Sequence, residues 1–279
     1  MKLSGIFIYP IKSLGGISLD SSIITDRGLL HDRRWMLVDE EGLFLSQRTF
    51  PQMAVLQVSL HKDGLRVNHK LKPFPTLDLP FPEEREYPDS MLKEVQVWDH
   101  KLQAILIDEE ADLWFSKALE RQVHLVYMPD KSERPADVDL GGDARLNSLS
   151  DGMPFLMIGE ASLAELNRRL PHPVPMDRFR PNFVFSGGEA FAEDKFGQIK
   201  IGKHRFFGLK PCGRCSLTTV EQATGRPEAN GEPLRTLSSF RRKGNKVLFG
   251  MNLLHEGPHA KIDLGQEIEI VQENSPLFS

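Results

Sequence analysis

The sequence predicts a β-rich α+β protein in two domains: an N-terminal β-barrel-like domain over residues 1–125 and a C-terminal barrel with a few helices over 126–279. Three observations carry this reading. Short runs of β-branched and alternating apolar residues recur along the chain, bounded by Gly, Pro and Asp. Only three stretches carry helical signals. The 279 residues are enough to enclose two cores.

Taken in order, Leu3 to Tyr9 is expected as a strand running into Pro10. Arg34 to Val38 turns through Asp39-Glu40-Glu41-Gly42 into Leu43-Phe44-Leu45, a hairpin with Gly at its turn. Val55 to His61 and Leu65 to Val67 flank Lys62-Asp63-Gly64, a second hairpin on an Asp-Gly signal. Pro73 to Pro88, rich in proline and acid, is expected as a surface loop. Val95 to Trp98 and Leu102 to Ile107 resume the strand pattern. Asp108-Glu109-Glu110 opens a helix through Leu119, its acids suiting the positive end of the helix dipole. Ser162 to Leu170 is a second helix, with Leu163, Leu166 and Leu170 at i, i+3, i+7 on one face. Pro233 to Arg242 is a short third one. Strands are expected at Asn182–Phe185, Gln198–Ile201, Arg205–Leu209, Ser216–Val220 and Ile268–Val271.

Composition narrows the function classes. A hydrophobic share of 40% with 27% charged residues describes an ordinary soluble protein. The net charge of -4 argues against a general nucleic-acid binder, while leaving room for a local basic pocket. No apolar run approaches the roughly 20 residues of a bilayer span. The first residues lack a basic segment followed by an apolar one, so no signal peptide or membrane anchor is expected. Two cysteines suggest a reducing compartment, and the sequence is read as cytoplasmic.

Both cysteines fall in Lys210-Pro211-Cys212-Gly213-Arg214-Cys215. A structural zinc site needs four ligands, and no second pair exists. A thioredoxin-like pair wants a helix start after the first cysteine. Here Ser-Leu-Thr-Thr-Val follows, which reads as a strand. Two readings stay open: a pair of inert buried thiols, or a thiolate favoured by Arg214 and Lys210 and suited to a soft or redox-active metal. A second string, His255-Glu256-Gly257-Pro258-His259, matches the zinc-protease pattern H-E-x-x-H. That pattern needs a helix, and Gly-Pro inside the turn breaks it. Two loop histidines are expected instead.

Three segments place cations beside strand ends: Tyr9-Pro10-Ile11-Lys12-Ser13, His31-Asp32-Arg33-Arg34-Trp35 and Arg178-Phe179-Arg180-Pro181-Asn182. Arginine forks and lysine charges suit phosphate, although each alone is more often a solvated charge or a local ion pair.

The first two segments, with Leu45-Ser46-Gln47-Arg48, resemble the N-terminal β-barrel domain that precedes MOSC domains. Arg-Phe-Arg-Pro-Asn, Cys-Gly-Arg-Cys, Thr218-Thr219-Val220 through Thr224-Gly225, Leu248-Phe249-Gly250 and the strand Ile268–Val271 resemble the MOSC domain itself. The likeness covers nearly the whole chain in the right order, and the amidoxime reducing components with their bacterial counterparts are the relatives it suggests. The resemblance implies a molybdenum cofactor, a metal held by a pterin dithiolene and by one cysteine. Cys215 takes that role and Cys212 does not. Lys12, Ser13, Arg33, Arg180 and Asn182 match positions that hold the phosphate-bearing cofactor, with Gly213 and Arg214 in the loop beside it. Asp151 matches an acid near the metal and is implied as a proton-transfer group.

The chain departs from close relatives at Gly152-Met153, where they carry a Thr-Ser pair, and at Asn252, where the mitochondrial proteins carry a tyrosine. The implied activity is reduction of small N-hydroxylated compounds with electrons from a separate protein, because two cysteines cannot ligate an iron–sulfur cluster of the usual kind. The competing readings are a cofactor carrier, or a sulfur-transfer module like the MOSC end of molybdenum cofactor sulfurases. In those proteins a desulfurase with a pyridoxal-binding lysine lies upstream, where this chain is expected to have a β-barrel.

Overall fold

Sequence alternation is realised as nineteen strands and three α-helices in the computed structural model, which describes residues 1–83, 85–137 and 145–275. The first part runs β1 (Lys2–Ile8), β2 (Ile17–Leu19), β3 (Ser21–Thr25), β4 (Gly28–Leu29), β5 (Trp35–Val38), β6 (Leu56–His61), β7 (Gly64–His69), β8 (Leu77–Pro80), β9 (Leu92–Val97), β10 (His100–Leu106), α1 (Glu109–Leu119) and β11 (His124–Tyr127). It continues through β12 (Phe155–Gly159), α2 (Glu160–Arg169), β13 (Phe183–Ser186), β14 (Phe196–Ile201), β15 (His204–Gly213), α3 (Leu234–Phe240), β16 (Arg242–Lys243), β17 (Lys246–His255), β18 (Ala260–Asp263) and β19 (Ile268–Glu273). The β-rich α+β class is therefore the observed one.

A nine-stranded sheet in the order β19-β14-β15-β17-β12-β13-β1-β2, with β16 beside β17, dominates. Strands β12 and β13 pair in parallel across the α2 crossover, and its other ladders are antiparallel. The remaining sheets are β5-β11-β10-β9, β6-β7-β8 and β18-β3-β4. Two ladders cross the boundary drawn at residue 125: β1 lies on β13, and β3 lies on β18. Leu3, Ile6 and Ile8 of β1 accordingly pack with Phe155, Phe183 and Phe206, while Trp35, Leu56, Val58 and Phe115 anchor a separate core.

Local chemistry explains the helices. The Asp108 carboxylate accepts from Ala111 N at 2.7 Å and caps α1. Ala111, Trp114, Phe115, Ala118 and Leu119 then form the buried stripe expected of a core-facing helix. On α2, Leu166 is buried and Leu163 packs partly against the same cluster, with Leu170 buried just past the end.

Four expected strands, loops and turns need correcting. The stretch Pro73–Pro88 contains strand β8, because Leu77 and Leu79 alternate inward beside β7, and Pro80 is tolerated at the sheet edge. Leu43 to Leu45 form only isolated bridges, to Gln96 and Val38, and no strand. In the β6–β7 hairpin Gly64 is already paired with His61, so the turn is Lys62-Asp63. A Cβ at Gly64 would lie 2.2 Å from the Leu79 carbonyl oxygen, so close approach of β8 demands glycine there. Residues Ser216–Thr219 form a 3-10 turn, not a strand. The Thr218 and Thr219 hydroxyls donate to the carbonyls of Cys215 and Ser216, a local bonding that overrides β-branched preference.

The H-E-x-x-H string holds no helix: His255 ends β17, and His259, at φ +66°, leads into β18. His255 is not a loop residue. It is buried against the Phe155 ring, edge to face, and its Nδ1 has no partner among the described residues. Burial, with Arg145 adding to it, pushes its pKa down to about 4. A folded-state value below the unfolded one means stability present above pH 6.5 and lost as pH falls toward 4. His255→Leu should therefore remove roughly 2 kcal/mol of the loss between pH 7 and pH 5. Urea unfolding of both proteins at the two pH values measures this, and parallel losses would refute the assignment.

Candidate functional site

Where β1 ends, the chain turns through Tyr9 to Ser13 and meets the ends of three other segments. Lys12 N donates to Trp35 O, and Arg33 N donates to Tyr9 O, which zips the two turns together. The segment after α2 brings Arg180 and Asn182 beneath them, and the end of β15 supplies Cys212 to Cys215. These segments enclose a cleft of about 730 Å³, part of it open solvent. The nine residues that the resemblance assigns to a site all line it: Lys12, Ser13, Arg33, Asp151, Arg180, Asn182, Gly213, Arg214 and Cys215.

At the centre of this assembly lies Asp32, whose side chain is fully buried. Its carboxylate accepts from Tyr9 N at 2.8 Å, Arg33 Nη1 at 2.6 Å and Asn182 Nδ2 at 3.0 Å. Asn182 Nδ2 also donates to Phe7 O, and its Oδ1 accepts from Arg33 Nη1 and Leu156 N. All four bonding positions of that amide are occupied. Asn182 thus positions the cleft wall and has no amide capacity left for a ligand, unlike the contact expected from sequence.

The Tyr9 ring is clasped by two guanidinium groups, Arg33 at 4.4 Å and Arg180 at 4.1 Å. Burial, with repulsion from Arg33, pushes the Arg180 pKa down to about 10, so it stays charged at neutral pH. Lys12 donates from Nζ to Leu149 O and to Asp151 Oδ1, both at 2.8 Å. Its burial lowers its pKa and Asp151 pushes back. Asp151 stands at the mouth with 70% of its side chain exposed. The protein crowding around its carboxyl would raise its pKa, but attraction to Lys12, then Arg33 and Arg48, holds it well below the usual range.

Three cleft residues share a backbone signature that no sequence motif shows. Ser13, Arg33 and Arg180 sit in the left-handed region at φ 67°, 48° and 54°. For a residue with a Cβ that costs about 1–2 kcal/mol each, strain that gathers where side chains must be aimed.

The cysteine loop departs from expectation in its charges. Lys210 turns away to Asp137, donating to its carbonyl at 3.1 Å. Arg214 Nη1 lies 3.0 Å from Cys212 Sγ, and its Nη2 donates to Phe179 O. The cation expected to favour a thiolate at Cys215 is thus on Cys212. Both cysteines are free and partly exposed.

Of the two neighbouring arginines, Arg34 binds Met128 O and Asp130, and Arg178 binds Thr219 O and Glu228, so both are structural. Sequence reasoning missed Leu156, Phe179 and Leu217 as lining residues, and Arg134, whose buried guanidinium gathers the carbonyls of Ser148, Ser150 and Asp151. Phe179 and Leu217 lie inside the Arg-Phe-Arg-Pro-Asn and Ser-Leu-Thr-Thr-Val strings but are apolar members that nothing there marks as lining; Leu156 and Arg134 carry no motif. Gly152, Met153 and Asn252, read as departures, all face the cleft.

Four cations and one carboxylate line the cleft of a chain with net charge -4. Among the described residues no three His, Cys, Asp or Glu side chains converge as a metal cage. Two thiols line it, Cys212 held by Arg214 and Cys215 not, and one such sulfur beside cations fits a metal that brings its own ligands and an anion. Asp32→Ala would leave Arg33 buried without its counter-charge, so a loss of about 3–5 kcal/mol of stability is expected. Chemical denaturation checks this; a loss below about 1 kcal/mol would show that Asp32 is not the anchor.

Comparison with known proteins gives the family. The family descriptions "MOSC N-terminal beta barrel domain" and "MOSC domain" match residues 1–122 and 144–269. The chain is 34% identical over 245 residues to mitochondrial amidoxime-reducing component 1 of Mus musculus, covering 85% of this chain and 70% of that protein. The Homo sapiens protein of that name is 32% identical over 269 residues, covering 91% and 78%. A molybdenum cofactor sulfurase of Solanum lycopersicum is 31% identical over 300 residues, covering 98% of this chain and 35% of that one. The chain spans about a third of the length of the sulfurases it matches. No helix among the described residues is long and apolar enough to cross a membrane. On these matches the chain belongs to the MOSC superfamily.

Proposed function

We propose that the cleft binds a molybdenum cofactor and that the protein is an oxidoreductase reducing small N-hydroxylated compounds, with electrons from a separate partner protein. The observation that carries this is the convergence of Cys215 with Lys12, Arg33, Arg180 and Arg214 on one cleft. Cys215 offers the one soft sulfur ligand not in contact with Arg214. The cations hold an anionic phosphate group, Arg180 and Arg33 from a wall already braced by Tyr9. Ser13 and Gly213 line the same wall and loop. When bound, the cofactor supplies redox cycling of the metal.

Reduction of an N–OH group to N–H releases water, so two protons must accompany two electrons. Asp151, implied from the sequence as a proton-transfer group, is held too weak a base by its cations to carry protons at neutral pH; it would instead orient the Lys12 ammonium, 2.8 Å away, as the proton donor of the pair. The relatives named sulfurases support a second reading, a cofactor carrier or sulfur-transfer module without redox turnover.

Cys215→Ser should abolish molybdenum binding with the fold intact, while Cys212→Ser keeps most of the metal. Elemental analysis of protein expressed with molybdate decides, and equal losses would overturn the ligand assignment. Arg180→Ala should speed pterin loss, because one charge-assisted hydrogen bond is worth about 1.5–3 kcal/mol. The apo variant should melt as wild type does; a collapsed melting temperature would make Arg180 a structural residue.

The chain also has no strand-linked G-x-G-x-x-G for a dinucleotide. Loaded protein should reduce an amidoxime with an artificial one-electron donor and show negligible turnover with NADH alone. Sustained turnover on NADH alone would sink the separate-donor assignment. Absence of turnover with every donor would favour the carrier reading.

A further inference from the structure

We infer that Arg48 and Trp98, at the mouth of the cleft, form a subsite for substrates that carry a flat aromatic ring and an anionic group. The inference rests on the proposed function and names the substrate class that it would take. It starts from charge. Lys12 is bound to Asp151, Arg33 to Asp32, and Arg214 to Cys212 and Phe179 O. Arg180 is bound to Leu14 O at the cleft floor. Arg48 forms no ion pair among the described residues, and its Nε makes only a long hydrogen bond, 3.5 Å, to Ser46 Oγ. It is the cation at the mouth with a free fork.

The guanidinium of Arg48 lies 4.1 Å over the Trp98 ring and 6.0 Å from that of Phe44. Those two rings meet at 5.0 Å and 57°. Stacked in this way, a guanidinium keeps its N–H edge open to a carboxylate, while the aromatic faces around it accept another flat ring. The ledge is joined to the site: Trp98 Nε1 donates to Asp151 Oδ1 at 3.3 Å, and Lys12 Nζ lies 5.2 Å from the Phe44 ring.

Both elements are held firmly. The turn carrying Arg48 is closed by Thr49 N and Phe50 N on Ser46 O, and its Gln47 donates to Ser13 O at 2.7 Å. Trp98 sits in the β9–β10 turn at φ 56°, a conformation disfavoured for a bulky residue. Strain of that kind persists where the surroundings aim a side chain at a task.

Trp98 is half-buried, whereas Trp35 and Trp114 are 1% and 8% exposed, so intrinsic fluorescence reports this ledge selectively. The full chain is titrated with 4-carboxybenzamidoxime and with benzamidoxime. The carboxylated probe should quench and bind more tightly. Arg48→Gln should weaken it about tenfold or more while changing benzamidoxime affinity less than about twofold. Arg48→Lys, which keeps charge and loses the fork, should fall between. Trp98→Phe should remove the quench, with binding then followed by calorimetry, and melting curves confirm that each variant is folded. Equal affinity of the two probes in wild type, or equal losses in Arg48→Gln, would overturn the subsite. Turnover is separate: discrimination between probes without reduction of either leaves the subsite standing and removes the proposed activity. Reduction of both without discrimination does the reverse.

Discussion

The buried carboxylate of Asp32 is the interaction on which the cleft depends. It receives a backbone N–H from the end of β1, a guanidinium from its own neighbour and the amide of Asn182. Tyr9 and Asn182 stand 23 and 150 residues from Asp32 in the chain, and Arg33 is its neighbour. No apolar contact could join them in this way, because hydrophobic burial is non-directional, while an ionised acceptor fixes each donor in place. Once Asp32 is satisfied, Tyr9 is fixed, and with it the ring on which Arg33 and Arg180 both lie.

Gathering cations into one wall is unfavourable, and the structure shows how it is sustained. Arg33 has Asp32; Arg180 has a carbonyl and an aromatic face, and its lowered pKa of about 10 records the remaining cost. Three of the residues involved also hold left-handed backbone. The offset comes from the β1–β13 and β12–β13 ladders, which anchor both sides of the wall in one sheet with a phenylalanine-rich core. A preorganised site of this type does not need to move when an anion arrives.

Much of this was legible beforehand. Basic residues stand just after strand ends in Tyr-Pro-Ile-Lys-Ser, His-Asp-Arg-Arg-Trp and Arg-Phe-Arg-Pro-Asn, and each segment sends one of them into the cleft. The α1 cap and stripe and the β-rich class were also readable, since they rest on local pattern. What was not legible depends on tertiary geometry. Sequence could not divide Arg33 from Arg34 or Arg178 from Arg180, because adjacent residues of one type differ only in which side of the backbone they leave. Nor could it show that the Asn182 amide is spent, that Thr218 and Thr219 close a turn, or that β8 hides in a proline-rich stretch. Arg134 carries three carbonyls of the loop before Gly152, and nothing near it in sequence marks it.

The two cysteines show how position within a short loop gives two thiols different surroundings. Cys212 is the second-last residue of β15, packs partly against the Phe179 and Phe249 cluster, and has the Arg214 guanidinium at 3.0 Å. Its sulfur already has a cationic partner, and a metal placed there would compete with that charge. Cys215 instead begins the 3-10 turn, its carbonyl taken by Thr218 N and Oγ1. That bonding occupies its backbone carbonyl, and Cys215 lines the same cleft as Arg180 and Lys12. Arg214 lies between them in the chain, held by Val247 O at its own amide and by Phe179 O at its fork. Its fixed orientation toward Cys212 makes the pair unequal, so equivalence of the two thiols in a C-x-x-C string ends at the level of sequence.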